Sequence, residues 1–555
     1  MENLLFVKME KSVECMCLID KQYHYLESCL NNKGQLVDKK LKSPLNFQYH
    51  YSSFILSSIL INKTSDIGKV IDYYLSVDKT LMKPSNDFNV MLLSFAVIFD
   101  KNDILDKEKI LKSFYHHSNK ELYKLNNNFR ALRVVGMILD KKLSNKDLKD
   151  KISDEIDWLL DLQFDDGFFP DSNMKYKVEK NQGVPHLTYH TKIMMCVGLA
   201  YLYTKDERLK EAFFKSIKVL LEISIDNYYF FYGRSTNALF GYGSLYVVFI
   251  LAYKFSSDKL FLNKANSMID FLKAYQHNDG HISINLNKND KNRIGFDTYM
   301  YDIVYNAYSN ALFLLGNKFL EELKFEHYNF ISDSFKMKIY EESGFVVYNN
   351  ENIKYCFNYK GHQNSLKHKF DSRVSPFSLL YFYKNNKNIL SAVGYQPQSI
   401  LRMVEKKFPL RILYGRLYRY FYFDWIPLFG GNSFYYLRDG IKFYPFRFIK
   451  KIKLKNKIIM KFLSKSRKIF FDDIENDYFV ISIDIKKELE YNLFFYKSVD
   501  KLYYICQNND FLKYNFNKDY KEMKYLDIET SCGKSKLKSY AFKNIKNLKI
   551  KVNNI

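Results

Sequence analysis

A helix, a glycine turn, a loop and a second helix follow one another repeatedly in the first part of this chain. Three stretches show the pattern most clearly, and each leads into an apolar run that opens with Tyr49-His50, Tyr189-His190 or Tyr301-Asp302. In repeats of this kind each unit is one helix pair, which buries its apolar face only by stacking on its neighbours. The repetition therefore constrains the fold more than any single motif does.

Three plainer units lie between these stretches. Each begins with Asn, Asp or Ser residues, whose side chains cap a helix by accepting hydrogen bonds from free backbone amides in the first turn. The apolar runs that follow are Phe88–Phe99, Phe129–Leu139 and Ala238–Tyr253. They are apolar on nearly all faces, as expected of a helix that is packed on every side. Six outer and inner helix pairs that close on themselves form an (α/α)6 toroid, which we assign to residues 1–330.

The hydrophobic pattern then changes to a period of two. Short segments rich in β-branched and aromatic residues, such as Gly344–Tyr348 and Tyr478–Ile483, alternate with turn residues, which predicts an antiparallel β-sandwich at residues 335–555. Two domains also fit the length, because single cores seldom exceed about 250–300 residues. The fold class is therefore α+β and multidomain. The basic segment Phe448–Phe471 is interpreted either as a lysine-rich edge strand or as a polyanion-binding strip.

The charge balance indicates a negatively charged partner. Lys and Arg outnumber Asp and Glu by 85 to 61, a net charge of +24, and such an excess attracts polyanions. A neutral alternative is that an AT-rich coding sequence enriches Lys, Asn, Ile, Tyr and Phe together. The longest nearly uncharged run, Ala238–Tyr253, is shorter than the roughly 18–20 residues of a transmembrane helix. A buried helix explains it better, and we expect no transmembrane segment.

Signals for a compartment, a metal or a cofactor are weak. The 7 cysteines are scattered, which is not typical of a disulfide framework, and no signal-peptide pattern opens the sequence, so we expect a cytoplasmic protein. His362, His368 and Asp371 are too loosely spaced to predict a metal site. Walker A, dinucleotide, HExxH and serine-elbow motifs do not occur. We therefore expect no metal and no cofactor.

Three loops carry the candidate site residues. They lead into the inner helices of the fourth, fifth and sixth units and exceed the usual 2–8 residues between packed helices, so we expect their side chains to converge on one cavity at the mouth of the ring, facing the sandwich. The first loop offers a proton-transfer group, since histidine titrates near neutrality and tyrosine is a base when a cation lowers its pKa. Its residues are His186, Tyr189 and His190. In the alternative, His190 caps a helix and Tyr189 packs.

The second loop holds Arg234, Asn237 and Tyr232. The planar guanidinium of Arg234 suits a carboxylate, Asn237 is a neutral hydrogen-bond donor, and Tyr232 adds a hydroxyl group. In the alternative, Arg234 pairs with a structural acid and Asn237 caps the helix. The third loop and the start of its helix hold Arg293, Asp297, Tyr299, Tyr301, Asp302 and Tyr305. Asp302 occupies the place of His50 and His190 in the repeat, so it is interpreted equally as structural or catalytic. The mixture of residues suits an acidic polysaccharide or oligosaccharide, and we expect no nucleic acid as a partner.

The chain resembles the heparinase II/III-like polysaccharide lyases, which join a helical toroid to an antiparallel β-domain. The residues that carry the resemblance are Tyr189-His190, Tyr232-Gly233-Arg234-Ser235, and the segments from Ser343 to Gly361-His362 and from Ser375 to Leu379. The family's β-domain usually has a histidine-rich segment followed by an aspartate, which only Gly361-His362, His368 and Asp371 suggest here. The resemblance implies a carbon–oxygen lyase.

The leading hypothesis is β-elimination on a uronate polymer. Arg234 and Asn237 would neutralise the carboxylate, His190 or Tyr189 would be the base, and Tyr232 or Tyr301 the acid, with His186, Arg293 and Tyr299 binding substrate. A glycoside hydrolase is the alternative enzyme, with paired acids from Asp165, Asp166, Asp279, Asp297 or Asp302. A third possibility is a glycan-binding protein of this fold without catalysis.

Overall fold

The structure is a computed structural model of the chain. It describes residues 17–331, except 40–42, 45–48, 64–66, 78–85, 116–125, 145, 171–186, 225–228, 230–237, 285–301 and 323–324, and residues 337–554, except 350–352, 359–377, 385–386, 392–432, 439–441, 444–445, 455–456, 466–475, 485–488, 509–511, 523–525 and 531–532.

The helices of the described chain alternate between an outer and an inner layer. The inner helices are α2 (His50–Leu60), α4 (Asn86–Phe99), α6 (Asn127–Ser144), α8 (Leu187–Thr204), α10 (Ala238–Ser256) and α12 (Asp302–Glu321). The outer helices are α1 (residues 17–27), α3 (Ile67–Ser76), α5 (Lys107–Tyr115), α7 (Lys149–Asp161), α9 (Glu207–Ile223) and α11 (Lys259–Lys273). Each inner helix packs on the next, and α12 packs on α2. The inner layer is thus a closed ring, which confirms the predicted toroid.

Polar contacts join the first helix to the last. The Gln22 side-chain amide on α1 donates to Asn306 Oδ1 and to Ser309 Oγ, each at 2.9 Å. In return, Asn310 Nδ2 on α12 donates to the Ile19 carbonyl at 2.9 Å. All five residues are buried, where a hydrogen bond with no water competing is strong. The outer partner of α12 is therefore the first helix of the chain.

Three glycine turns fix how the units stack. Gly34, Gly167 and Gly280 have φ angles of +74°, +96° and +96°, a region that glycine adopts without steric cost. Each turn lies against the backbone of the next outer helix, and a Cβ added to Gly280 would lie 1.9 Å from the carbonyl oxygen of Lys21 on α1. The turn of the sixth unit thus seals the ring against the first.

Gly280→Ala is expected to lower the free energy of unfolding by about 2–3 kcal/mol, because alanine meets both the positive φ and the Lys21 carbonyl. Gly68→Ala on α3 is the matched control. A Cβ at Gly68 has no atom within 4 Å, so this change should be neutral or stabilise by up to about 1 kcal/mol. Chemical denaturation measures both, and equal effects of the two substitutions would contradict the role given to the Gly280 turn.

One apolar helix segment in the described part of the chain, Leu239–Ser256, is long enough to cross a membrane by length and composition. All of it is buried inside the protein, as expected of an inner helix with neighbours on every side. Its place in the ring accounts for the apolar sequence.

Antiparallel strands occur in two places along the described chain. Strands β1 (Val37–Asp38) and β2 (Ser43–Pro44) pair within the first unit. After the last helix, β3 (Met337–Tyr340), β4 (Phe345–Asn349), β5 (Ile353–Asn358), β6 (Ser378–Lys384) and β7 (Lys387–Ser391) form one sheet in chain order. A second sheet contains β8 (Ser433–Arg438), β9 (Lys442–Phe443), β10 (Phe446–Leu454), β11 (Lys457–Lys465), β12 (Asn476–Asp484), β13 (Leu489–Asn508), β14 (Leu512–Phe516), β15 (Lys521–Glu522), β16 (Leu526–Thr530) and β17 (Gly533–Asn554).

The basic segment contributes to two neighbouring strands at one end of this second sheet. Among the described residues, β10 stands at the end of the strand order, whereas β11 pairs with both β10 and β12. The edge-strand interpretation therefore fits β10 and does not fit β11. Binding of a polyanion there stays a prediction. The change from helix to strand falls between Glu321 and Met337, and the division into domains at residues 330 and 335 also stays a prediction.

The segment after α12 leads along the outside of the ring to the first strands. Tyr328 stacks on Phe214 of α9 with ring centroids 3.9 Å apart, and Phe330 contacts Phe261 of α11 at 5.0 Å. From β3, Lys338 Nζ then binds the buried Glu222 carboxylate at 2.7 Å. The first sheet is therefore anchored to the fifth unit, at the end of α9 that precedes the loop into the next inner helix.

Candidate functional site

Aromatic side chains from the beginnings of the inner helices meet in the middle of the ring. Tyr49, which precedes α2, stacks on Phe88 of α4 with centroids 4.1 Å apart, and Phe88 in turn contacts Phe129 of α6 at 5.8 Å. On the opposite side, Phe240 of α10 contacts Tyr308 of α12 at 5.0 Å. The starts of these helices therefore lie at the same end of the ring, which we call the mouth.

This set is named the aromatic layer, and its members are Tyr49, Phe88, Phe129, Tyr189, Phe240, Tyr305 and Tyr308. Phe88, Phe129, Tyr189 and Phe240 are each the third residue of an inner helix. Side chains on a helix lean toward its N-terminus, so these rings meet in the middle of the ring near its mouth. The aromatic layer thus forms the floor of the mouth.

A cluster of tyrosine hydroxyls belongs to this floor. The hydroxyl groups of Tyr49 and Tyr305 are hydrogen-bonded to each other, and those of Tyr308 and Tyr189 lie close enough to interact with Tyr49. Burial, and after it these neighbouring tyrosines, raise the pKa of Tyr49 well above its ordinary value. Tyr49 therefore stays protonated and acts as a hydrogen-bond donor. Tyr189 is only partly buried and is the most accessible of the four tyrosines to a ligand.

A lysine lies beneath the aromatic layer. Lys192 of α8 is 0% exposed, and its Nζ donates to Asn128 Oδ1 at 2.7 Å. The same nitrogen lies 3.8 Å from the ring centroid of Phe88 and 4.8 Å from that of Phe129. An ammonium over an aromatic face is held by the negative face of the ring, most strongly where water is excluded.

His190 lies deeper than a catalytic base requires. It is 0% exposed, its ring packs 4.8 Å from that of Phe168, and its Nδ1 accepts a hydrogen bond from the Phe169 backbone N–H at 3.0 Å. A neutral imidazole whose Nδ1 accepts carries its proton on Nε2, so neither nitrogen offers a lone pair to a substrate. Burial lowers the pKa of His190 to about 3. These contacts favour the packing interpretation over the role of base.

Two of the described aspartates proposed for hydrolysis, Asp166 and Asp279, have structural partners. Ser343, at the turn between β3 and β4, donates to Asp166 Oδ2 from both its backbone nitrogen and its hydroxyl, each at 2.8 Å. Asp279 lies in a different glycine turn and contacts His281 Nδ1 at 2.5 Å. Each carboxylate thus holds a turn, as Asp residues commonly do. Asp302, the first residue of α12, is 4% exposed.

Most of the predicted binding residues lie outside the described part of the chain. They are His186, Tyr232, Arg234, Asn237, Arg293, Asp297, Tyr299 and Tyr301, and His362, His368 and Asp371 lie outside it as well. Their convergence on the mouth stays a prediction. Within the described residues, no group of three or more His, Cys, Asp or Glu side chains is placed to hold a metal ion.

Tyr49, Asn128 and Lys192 are not among the site residues predicted from the sequence. Two signals pointed to them. The first is the recurrence of an aromatic residue near the start of successive inner runs, and the second is a single lysine ahead of the uncharged run from Ile193 to Tyr203. A charge in a helix that is apolar on all faces has to be held by specific partners, which here are Asn128 and the aromatic layer.

Neither a protein-family model nor a curated protein sequence matches this chain. Among solved structures, the chain is similar to a glycosyl hydrolase of family 88 from Bacteroides vulgatus, at 10% identity and a TM-score of 0.39, over 55% of this chain and 99% of that one. It is also similar to a cellobiose 2-epimerase from Bacillus thermoamylovorans (11% identity, TM-score 0.36, 52% and 95% of the two chains) and to a polysaccharide lyase (9%, 0.40, 56% and 99%). Likenesses at these identities and TM-scores decide neither the fold nor the reaction of this chain.

Proposed function

We propose that this chain is a polysaccharide lyase that cleaves an acidic, uronate-containing polysaccharide by β-elimination at the mouth of the ring. The observation that carries the proposal is the cluster of tyrosine hydroxyls around Tyr49, which lies in the same aromatic layer that contacts the buried ammonium of Lys192. Aromatic faces suit sugar rings, and a fixed positive charge suits a uronate. We further propose that the two antiparallel sheets pack as a β-sandwich beside this mouth.

In the proposed reaction, Tyr189 is the base. As a tyrosinate it removes the proton from C5 of the uronate, next to the carboxylate. The electron pair of that C–H bond forms a double bond between C4 and C5, and the bond between C4 and the glycosidic oxygen breaks. The departing oxygen takes a proton from Tyr232 or Tyr301, so the products are one unsaturated and one ordinary chain end.

The carboxylate must be neutralised for this proton to become acidic, because negative charge spreads onto it in the transition state. Arg234 and Asn237 keep that role in the proposal, and His186, Arg293 and Tyr299 keep the role of binding substrate. Tyr189 takes the place of His190 as base, since Tyr189 is partly accessible while the Nδ1 of His190 is engaged by Phe169. His190 then positions the beginning of α8 by fixing it to the glycine turn of the fourth unit.

The expected result is an unsaturated product from at least one uronate polymer. Purified protein is incubated with a panel of uronate polysaccharides, and the ultraviolet absorbance of the conjugated double bond is followed together with the number of reducing ends. Absorbance that rises in step with reducing ends supports elimination. Reducing ends without absorbance would indicate hydrolysis instead, and binding without either product would indicate a non-catalytic glycan-binding protein.

A further inference from the structure

Exposure within the aromatic layer is confined to one side of the ring. Five of its members are buried, each with 6% or less of its surface exposed: Tyr49, Phe88, Phe240, Tyr305 and Tyr308. The other two, Phe129 and Tyr189, are only partly buried. They lie at the beginnings of α6 and α8, which pack on each other. A ligand in the mouth therefore reaches the aromatic floor at Phe129 and Tyr189.

Phe129 differs from Tyr189 in having no polar atom. A tyrosine packs its ring and keeps its hydroxyl group in water, so partial exposure suits it. A phenylalanine ring is stabilised by leaving water, by about 25 cal/mol for each Å² of apolar surface that is buried. Packing within the ring of helices leaves part of the Phe129 surface in water, and a bound ligand would cover that part.

Two contacts fix the orientation of the Phe129 ring. The Lys192 ammonium, which lies beneath the aromatic layer, is over the Phe129 ring at 4.8 Å from its centroid. Phe88 meets the same ring nearly at a right angle, with an interplanar angle of 83° and centroids 5.8 Å apart. Since Lys192 covers the lower face and Phe88 lies to one side, the accessible surface of Phe129 is the face toward the mouth.

A flat aromatic face in this orientation suits the apolar side of a sugar ring. The C–H groups on that side carry a weak positive charge, and the face of an aromatic ring is the negative part of its quadrupole. Stacking also removes two apolar surfaces from water. Neither effect requires a charge on the sugar, so the contact is available to acidic and neutral sugars alike.

We propose that Phe129 is the stacking platform of the mouth, on which one sugar ring of the substrate lies while Tyr189 acts on the chain. This inference rests on the proposed function only for the ligand being a glycan, because stacking requires neither a uronate nor an elimination. Phe129 is a substrate-binding residue, and it touches none of the reacting atoms.

Binding of uronate oligosaccharides and of their carboxyl-reduced counterparts, measured by titration calorimetry, tests the platform. Phe129→Leu keeps an apolar side chain against Phe88 but removes the flat face, so it should weaken binding about tenfold. Phe129→Tyr keeps the face and should bind as the unmodified protein does. Phe330→Leu is the matched control, because Phe330 is also partly buried but packs on Phe261 outside the ring, with centroids 5.0 Å apart. It should bind normally.

Phe129→Trp reports the contact directly. A sugar that stacks on the introduced indole removes water from it, so the fluorescence emission should move to shorter wavelength as the oligosaccharide is added. The chain already has 2 tryptophans, and the unmodified protein titrated in the same way corrects for them. A ring that serves only to pack the helices would give no such shift.

The inference is overturned if Phe129→Leu binds as tightly as the unmodified protein, if the introduced indole does not respond to an oligosaccharide that binds, or if no oligosaccharide of either kind binds. If Phe129→Leu does not fold, the indole decides. The proposed function is read separately, from the unsaturated product. Weaker binding in Phe129→Leu without that product would leave this inference standing and remove the lyase, whereas elimination with an unchanged KM in Phe129→Leu would do the reverse.

Discussion

Tyr189→Phe is expected to lower the rate of elimination by 10²–10⁴-fold, the usual contribution of a general base. The substitution removes one oxygen from a partly buried ring and leaves its edge-on contact with Phe240, at 6.4 Å, in place. Because the ring still packs, the affinity for substrate should change little, and the loss should appear in kcat rather than in KM. Initial rates of absorbance on the polymer that gives the strongest signal measure it.

Tyr203→Phe is the matched control for this prediction. Tyr203 lies near the other end of α8, is also partly buried, and contacts Lys142 at 4.9 Å from its ring centroid. It should retain the full rate. A Tyr189→Phe protein that eliminates at the unmodified rate would exclude Tyr189 as the base, and equal losses in both variants would point to a general disturbance of α8.

The ring was predictable because its signals are local and repeated. A glycine turn needs glycine wherever φ is positive, so Gly34, Gly167 and Gly280 marked three of the units from sequence alone. Apolar runs with polar caps marked the inner helices in the same way. The contact of Gly280 with the Lys21 carbonyl of α1 was not predictable, since the closing of a ring joins residues far apart in the chain.

The roles of single side chains were harder to predict than their positions. Tyr189 and His190 are adjacent, but successive helix residues point about 100° apart, so one ring faces the mouth while the other enters the wall against Phe168. The sequence indicated a site at this dipeptide and could not decide which of its members was accessible. Lys192 was obscured for a similar reason, because its partner Asn128 comes from a different unit.

His190 is expected to make the stability of the protein depend on pH. Its folded-state pKa of about 3 lies below the ordinary value of 6.5 because the ring is buried, so the unfolded chain binds a proton more readily than the folded one. The stability from the neutral ring is complete above about pH 6.5 and falls as the pH drops from there toward 3, by about 1.4 kcal/mol per pH unit. Below pH 3 this contribution stops changing.

Carboxylates also titrate in this range, so the measurement is a difference between variants. His190→Gln cannot titrate, and its side-chain oxygen can still accept from the Phe169 N–H. Between pH 7 and 5 the unmodified protein should lose about 2 kcal/mol more of its unfolding free energy than His190→Gln does, as measured by urea denaturation at each pH. His327→Asn is the control, since it removes a histidine that is exposed at the surface.

Two substitutions of His190 distinguish a structural role of this residue from a catalytic one. His190→Ala removes a buried ring and its hydrogen bond, so it should cost about 2–4 kcal/mol of stability, more than the change within about 1 kcal/mol that is usual for a side chain lining an open site. His190→Gln, if it folds with near-normal stability, should keep the lyase activity, because the start of α8 remains fixed and Tyr189 stays in place. The opposite result is a His190→Gln protein that folds but has no activity, and whose unfolding free energy depends on pH as that of the unmodified protein does. This result would return the role of base to His190. It would also mean that the ring leaves its buried position when substrate binds.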